Sequence, residues 1–156
     1  MRKLTKALIL GSVLVAIVVT LSVKNNELAS LGGYPADFDP KAPAPEEPIP
    51  ASYESSAPGL PRLVALGAGR CIPCKAMAPI RIELRREYAG ALAVDFYDVW
   101  VDKEAGEHFG VWAIPTLIYY DASAKELGRR EGFISKDDIL ATLRTYGIDL
   151  NRSGNL

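Results

Sequence analysis

The segment Gly69-Arg70-Cys71-Ile72-Pro73-Cys74-Lys75 holds both cysteines of this 156-residue chain. An apolar, strand-like run, Leu63-Val64-Ala65-Leu66, leads into it, and a helical pattern from Ala76 to Tyr88 leads out. A Cys-x-x-Cys where a strand turns into a helix is the layout of a redox dithiol. Cys71 then sits among the unpaired N–H groups of the helix start. There the positive end of the helix dipole favours thiolate, which is the nucleophile. Cys74 lies about one turn inside, placed to resolve a mixed disulfide formed by Cys71. Two cysteines cannot make a disulfide framework, so the pair is either redox-active or metal-binding.

Composition narrows the classes. The length fits one domain, and a stretch of this size can bury one small core. Net charge is -1, and residues 61–150 carry 12 Lys/Arg against 13 Asp/Glu, interspersed, so nucleic acid as a partner has no electrostatic support. His108 is the only histidine, which excludes a zinc site built from several histidines.

Arg2, Lys3 and Lys6 precede an apolar run from Ala7 to Val23, broken only by Ser12, Thr20 and Ser22 among polar residues. As a helix it spans about 26 Å, against ~30 Å of hydrocarbon. With flanking residues it just crosses. The basic residues put the N-terminus in the cytoplasm and the rest outside. The expectation is a signal-anchor over residues 1–23. It makes a single-pass protein of the bacterial cytoplasmic membrane, with its domain on the periplasmic or extracytoplasmic side. A cleaved signal peptide competes, but Ser22-Val23-Lys24-Asn25-Asn26 lacks a clean small-x-small site.

Residues 24–59 read as a linker. Seven of the eleven prolines fall between Pro35 and Pro58, and the sequence has neither helical nor strand period. Such sequence is extended and stiff, a spacer holding the domain off the membrane. The alternative is that part of it packs on the domain, mainly Tyr53 to Leu60.

Residues 60–148 read as the domain and 149–156 as a tail. Pro61 to Ala68 is a buried first strand. The helix carries Met77, Ile80, Leu84 and Tyr88 on one stripe, with Arg81, Arg85, Arg86 and Glu87 mostly elsewhere, and Pro79 should kink it. Ala91 to Val101 is a second strand. Asp102 caps a short helix from Lys103 to Phe109. Pro115 to Tyr120 and Lys125 to Glu131 form a hairpin about Asp121-Ala122-Ser123-Ala124. Ser135-Lys136-Asp137-Asp138 fits a capping box, before a helix with Ile139, Leu140, Leu143 and Tyr146 on its apolar face. The order is β-α-β-α-β-β-α.

These residues resemble the thioredoxin family. Cys71-Ile72-Pro73-Cys74-Lys75 is similar to its Cys-Gly-Pro-Cys-Lys. Pro79 matches its helix-kinking proline, and Phe109-Gly110-Val111-Trp112-Ala113-Ile114-Pro115-Thr116 its segment ending Ile-Pro-Thr. Gly132 matches the glycine before its last helix. The resemblance implies a thioredoxin-like α/β fold with a four-stranded mixed sheet flanked by helices, here after a transmembrane helix and a proline-rich linker. It implies a thiol:disulfide oxidoreductase in which Cys71 is the nucleophile and Cys74 resolves. Ile114 and a cis Pro115 shape the substrate groove, with Trp112 on its rim or in local packing. No cofactor and no metal is implied beyond the Cys71–Cys74 disulfide.

Departures from the pattern shape the finer reading. Arg70 replaces the usual tryptophan before the first cysteine, so Arg70, Pro73 and Lys75 are the residues expected to tune the thiols. Arg70 lowers the Cys71 pKa unless water screens it. The family's buried acid and its lysine partner fall at Ala65 and Phe96, both apolar. Asp95 or Asp98 then either accepts the Cys74 proton or is an ordinary surface or strand-end carboxylate. Pro73, rather than histidine, before Cys74 favours a reductant of protein disulfides. Outside the cytoplasm that needs electrons, for example from a membrane dithiol donor. Nothing calls for an oligomer, so a monomer is expected. The competing classes are a Cu(I)- or metal-binding module, to which Met77 adds a soft ligand, and a redox-inactive binding domain.

Overall fold

The computed structural model describes residues 33–150. The expected membrane segment, residues 1–23, lies outside the described residues. Among those described, no helix is long and apolar enough to cross a membrane.

The elements are β1 (Arg62–Gly67), α1 (Ile72–Glu87), β2 (Ala93–Asp98), α2 (Lys103–His108), β3 (Thr116–Tyr120), β4 (Glu126–Glu131) and α3 (Lys136–Thr145). The sheet runs β2-β1-β3-β4. β1 is parallel to β2 and antiparallel to β3, and β3 is antiparallel to β4. This is the four-stranded mixed sheet of the expected thioredoxin-like fold.

Alternation along the central strands makes two cores. Leu63, Ala65 and Val94 face α1 and α3, where they meet Met77, Leu84, Ile139 and Leu143. Val64, Leu66 and Tyr97 face the other way, onto Ala105 and Phe109. β1 is buried on both faces, which is why its sequence is continuously apolar.

Local chemistry sets the ends. Asp102 accepts from the Ala105 N–H, and Ser135 from the Asp138 N–H. The Asp138 carboxylate takes the Ser135 hydroxyl at 2.7 Å. At the hairpin, the Asp121 carboxylate accepts from the backbone of Ser123 and Lys125. The second strand is shorter than expected, ending at Asp98 rather than Val101. The Asp98 carboxylate accepts from the Trp100 N–H at 2.9 Å and turns the chain, leaving Trp100 and Val101 exposed.

The proline-rich segment departs further from a free spacer. Proline lacks the N–H needed to add a strand, and the segment binds through side chains, carbonyls and the Ser56 N–H, which donates to Asp95 at 3.3 Å. Glu47 pairs with Arg81 and Arg85 of α1. Beyond the β2 edge, the Tyr53 and Glu54 carbonyls accept from Arg62, and Tyr97 donates to the Ser52 carbonyl. The Tyr53 hydroxyl donates to Asp102, while its ring lies 5.6 Å from Tyr97 and 4.2 Å from His108. Burial and the Asp102 carboxylate push the Tyr53 phenol up to about 12. The segment thus wraps β2, an edge strand otherwise open to pairing. Arg85 closes part of that edge by donating to the Val94 carbonyl.

Candidate active site

β1 delivers the chain to the dithiol. Past Gly67 it turns, with the Cys71 N–H donating to the Ala68 carbonyl, and α1 begins. Cys71 is the helix N-cap, its sulfur accepting from the Cys74 N–H at 3.4 Å. Pro73 occupies the first turn, where its missing N–H costs nothing. The two cysteines are joined as a disulfide, Cα atoms 5.2 Å apart. Cys71 is partly exposed and Cys74 is 1 % exposed. An incoming sulfur can therefore reach Cys71 and not Cys74.

Gly67 is needed for this approach. A Cβ there would lie 3.2 Å from Cys74 Cβ, 3.3 Å from Cys74 Sγ and 3.1 Å from the Phe96 ring. Strand, dithiol helix and Phe96 thus meet at one point.

The second wall comes from β3. Leu66 pairs with Thr116, so continuing the antiparallel register puts Pro115 at the Gly67 end of the sheet. The Ile114–Pro115 bond is cis. Pro115 is buried and its carbonyl accepts from the Gly132 N–H at 2.8 Å, while the Thr116 hydroxyl donates to the Ala113 carbonyl. Ile114 is half-buried, and Trp112 is 91 % exposed. Topology thus brings Pro115 to the dithiol end of the sheet, with Trp112 three residues before it in the chain.

The charged neighbours divide. Arg70 is exposed, its guanidinium 5.8 Å from the Trp100 ring centroid. Lys75 donates to the Pro40 carbonyl. Asp98 accepts from the Gly69 N–H at 2.8 Å, a strand-end carboxylate that braces the loop before Cys71. Asp95 lies on the opposite sheet face, ion-paired to Arg62 at 2.6 Å, which removes it as an acceptor for the Cys74 proton. Ala65 and Phe96 are register partners, so no charged pair bridges those positions. Met77 is fully buried in the α1 core, and the exposed His108 stacks on Tyr53. Among the described residues no three His, Cys, Asp or Glu side chains gather as a metal-ligand group.

Sequence reasoning missed Trp100, assigned to a strand, and the pair Glu47–Arg81. Arg81 sits among the charges of α1 but is 2 % exposed. Its position beside Ile80 and Leu84 on the helix was the available signal.

The comparisons agree with this geometry. A family model described as Thioredoxin matches residues 56–145. The chain is 34% identical to the thioredoxin of Pseudomonas aeruginosa over 83 residues, 53% of this chain and 76% of that protein. It is 38% identical to Thioredoxin C-2 of Corynebacterium nephridii over 60 residues, 38% of this chain and 56% of that protein's length. A solved chain described as "Structure of a malarial protein" superposes with a TM-score of 0.51 at 20% identity, over 55% of this chain and 96% of that one, which bears on fold alone. The chain belongs to the thioredoxin family. Membership, with a bonded Cys71–Cys74 pair at a helix start, supports thiol–disulfide oxidoreductase activity.

Proposed function

We propose that the chain is a membrane-tethered, exported reductant of protein disulfides. The observation that carries the chemistry is the pairing of an accessible Cys71 with a buried Cys74 at the start of α1. In the reduced protein, Cys71 thiolate attacks one sulfur of a substrate disulfide. The Cys71–substrate bond forms, and the substrate's other sulfur leaves as thiolate and takes a proton. Cys74, deprotonated, then attacks Cys71 Sγ and expels the second substrate sulfur. Two electrons pass to the substrate, and the Cys71–Cys74 disulfide remains. A membrane dithiol donor reverses that last state.

Ile114, Pro115 and Trp112 form the substrate side of this site, with Arg70, Pro73 and Lys75 tuning the thiols. The reducing direction is supported by Pro73 in place of a histidine before Cys74. Export is supported by the basic residues ahead of the run Ala7 to Val23. The test is the reduction potential of the full chain by equilibration with glutathione or dithiothreitol, together with insulin disulfide reduction. A potential near about -250 mV or lower, with insulin turnover, supports the reading; one above about -180 mV overturns the direction.

A further inference from the structure

We propose that Glu47, in the proline-rich segment, is a positioning residue for the dithiol, fixing the charge beneath Cys74 through Arg81 and keeping the Cys71–Cys74 pair reducing. The proposal rests on the dithiol–disulfide reading above. Glu47 is an exception in its segment. Pro45, Glu46, Pro48 and Ile49 are exposed, whereas the Glu47 side chain is 3 % exposed. Its carboxylate accepts from Arg81 Nε at 3.1 Å and also from Arg81 Nη2. Arg85 Nη2 reaches the same carboxylate at 3.3 Å.

Arg81 carries the effect to the site. Its Nη1 donates to the Cys74 carbonyl at 3.3 Å. Its guanidinium lies 4.1 Å from the Phe96 ring centroid. The edge of that ring and Cys74 Sγ both crowd Gly67. Cation and thiol therefore share one dry layer, where charges are screened far less than in water.

A cation there stabilises the thiolate of the reduced protein and does nothing for the neutral disulfide. Uncompensated, it makes the pair more oxidising, as any stabilisation of the reduced form does. Glu47 offsets it. The other charges around the dithiol lie outside this buried layer: Arg70 is exposed over Trp100, and Lys75, on the Pro40 carbonyl, and Asp98, on the Gly69 N–H, are both partly exposed, so water screens them more than it screens Arg81. Two arginines share one carboxylate, so the cluster responds in opposite directions to loss of Glu47 and loss of Arg85.

The experiment compares the full chain with Glu47→Gln, Glu47→Asp and Arg85→Gln, reading the glutathione equilibrium and the pH titration of the Cys71 thiolate. Glu47→Gln is expected to shift the equilibrium about tenfold toward the dithiol, about 30 mV, and to lower the pH at which Cys71 ionises. Glu47→Asp keeps the charge and stays within about twofold of the parent. Arg85→Gln, at a half-exposed position compatible with folding, shifts both readings the opposite way by about two- to threefold. If Glu47→Gln does not fold, Arg85→Gln decides alone. Unchanged potential and thiol titration in the folded variants overturn the proposal even where stability falls, because a purely structural Glu47 moves stability only. These are differences between variants, so they stand or fall separately from the absolute potential that tests the reductant reading.

Discussion

Ala65 and Phe96 lie side by side in register on parallel strands, both on the sheet face that α1 covers. The layer under the dithiol is therefore apolar on the strands, and its ions come from outside the sheet, from α1 and the proline-rich segment. A carboxylate introduced at position 65 has no cation on the neighbouring strand. Ala65→Asp is expected to cost about 3 kcal/mol or more in urea unfolding, the range for an uncompensated buried charge. Undiminished stability would mean that Arg81 reaches position 65.

The two thiols should fail differently. Cys71→Ser is expected to abolish insulin reduction. Cys74→Ser is expected to keep the first attack and accumulate mixed disulfides at Cys71, visible as thiol-reversible adducts on a non-reducing gel. Adducts on Cys74 in the Cys71→Ser variant would reverse the assignment drawn from their exposure.

Trp112 is 91 % exposed, so its removal has little to cost the fold. Trp112→Ala is expected to change stability by no more than about 0.5 kcal/mol while raising KM for protein disulfides several-fold. A stability loss with KM unchanged would show the ring to be packing.

Arg62 and Asp95 form a buried pair at 2.6 Å on the face away from the dithiol. Arg62→Met leaves Asp95 unpaired and is expected to cost about 3–5 kcal/mol. The glutathione equilibrium should stay within about twofold. A large change in potential would contradict the separation of the two sheet faces.

Tyr53 should make the segment's docking sensitive to alkali. Its folded pKa, about 12, is raised above the ordinary 10.0. A raised folded pKa gives stability that is fully present below the unfolded value and is lost as pH rises through the folded one. Stability is therefore expected to fall from about pH 10 to 12, tracked by tyrosinate absorbance. Tyr53→Phe should lose the Asp102 bond at neutral pH and show a shallower alkaline decline. An identical decline would place the sensitivity at another tyrosine, such as the buried Tyr119, also raised to about 12.

The order of elements was legible because each signal is local. Cys71 and Pro73 open α1, Asp102 and Ser135 cap α2 and α3, and Asp121 closes the hairpin. The dithiol was legible for the same reason, since its two cysteines and the helix start at the first lie within four residues. The end of β2 was not. Val99, Trp100 and Val101 have strand propensity, and the carboxylate of Asp98 overrides it by binding the Trp100 N–H.

Sequence alone thus determined the fold class, the redox pair and the cis-proline segment, because these rest on spacing along the chain and on the backbone preferences of Cys, Pro and Gly. Only the tertiary structure decided where the charged side chains near the dithiol helix find their partners. Asp95 turned to the far face with Arg62, Arg70 lay toward Trp100, and Glu47 came in from the proline-rich segment, 34 residues before the Arg81 it neutralises. Burial of a charge depends on finding a partner in space, and sequence periodicity does not say which distant carboxylate will be there.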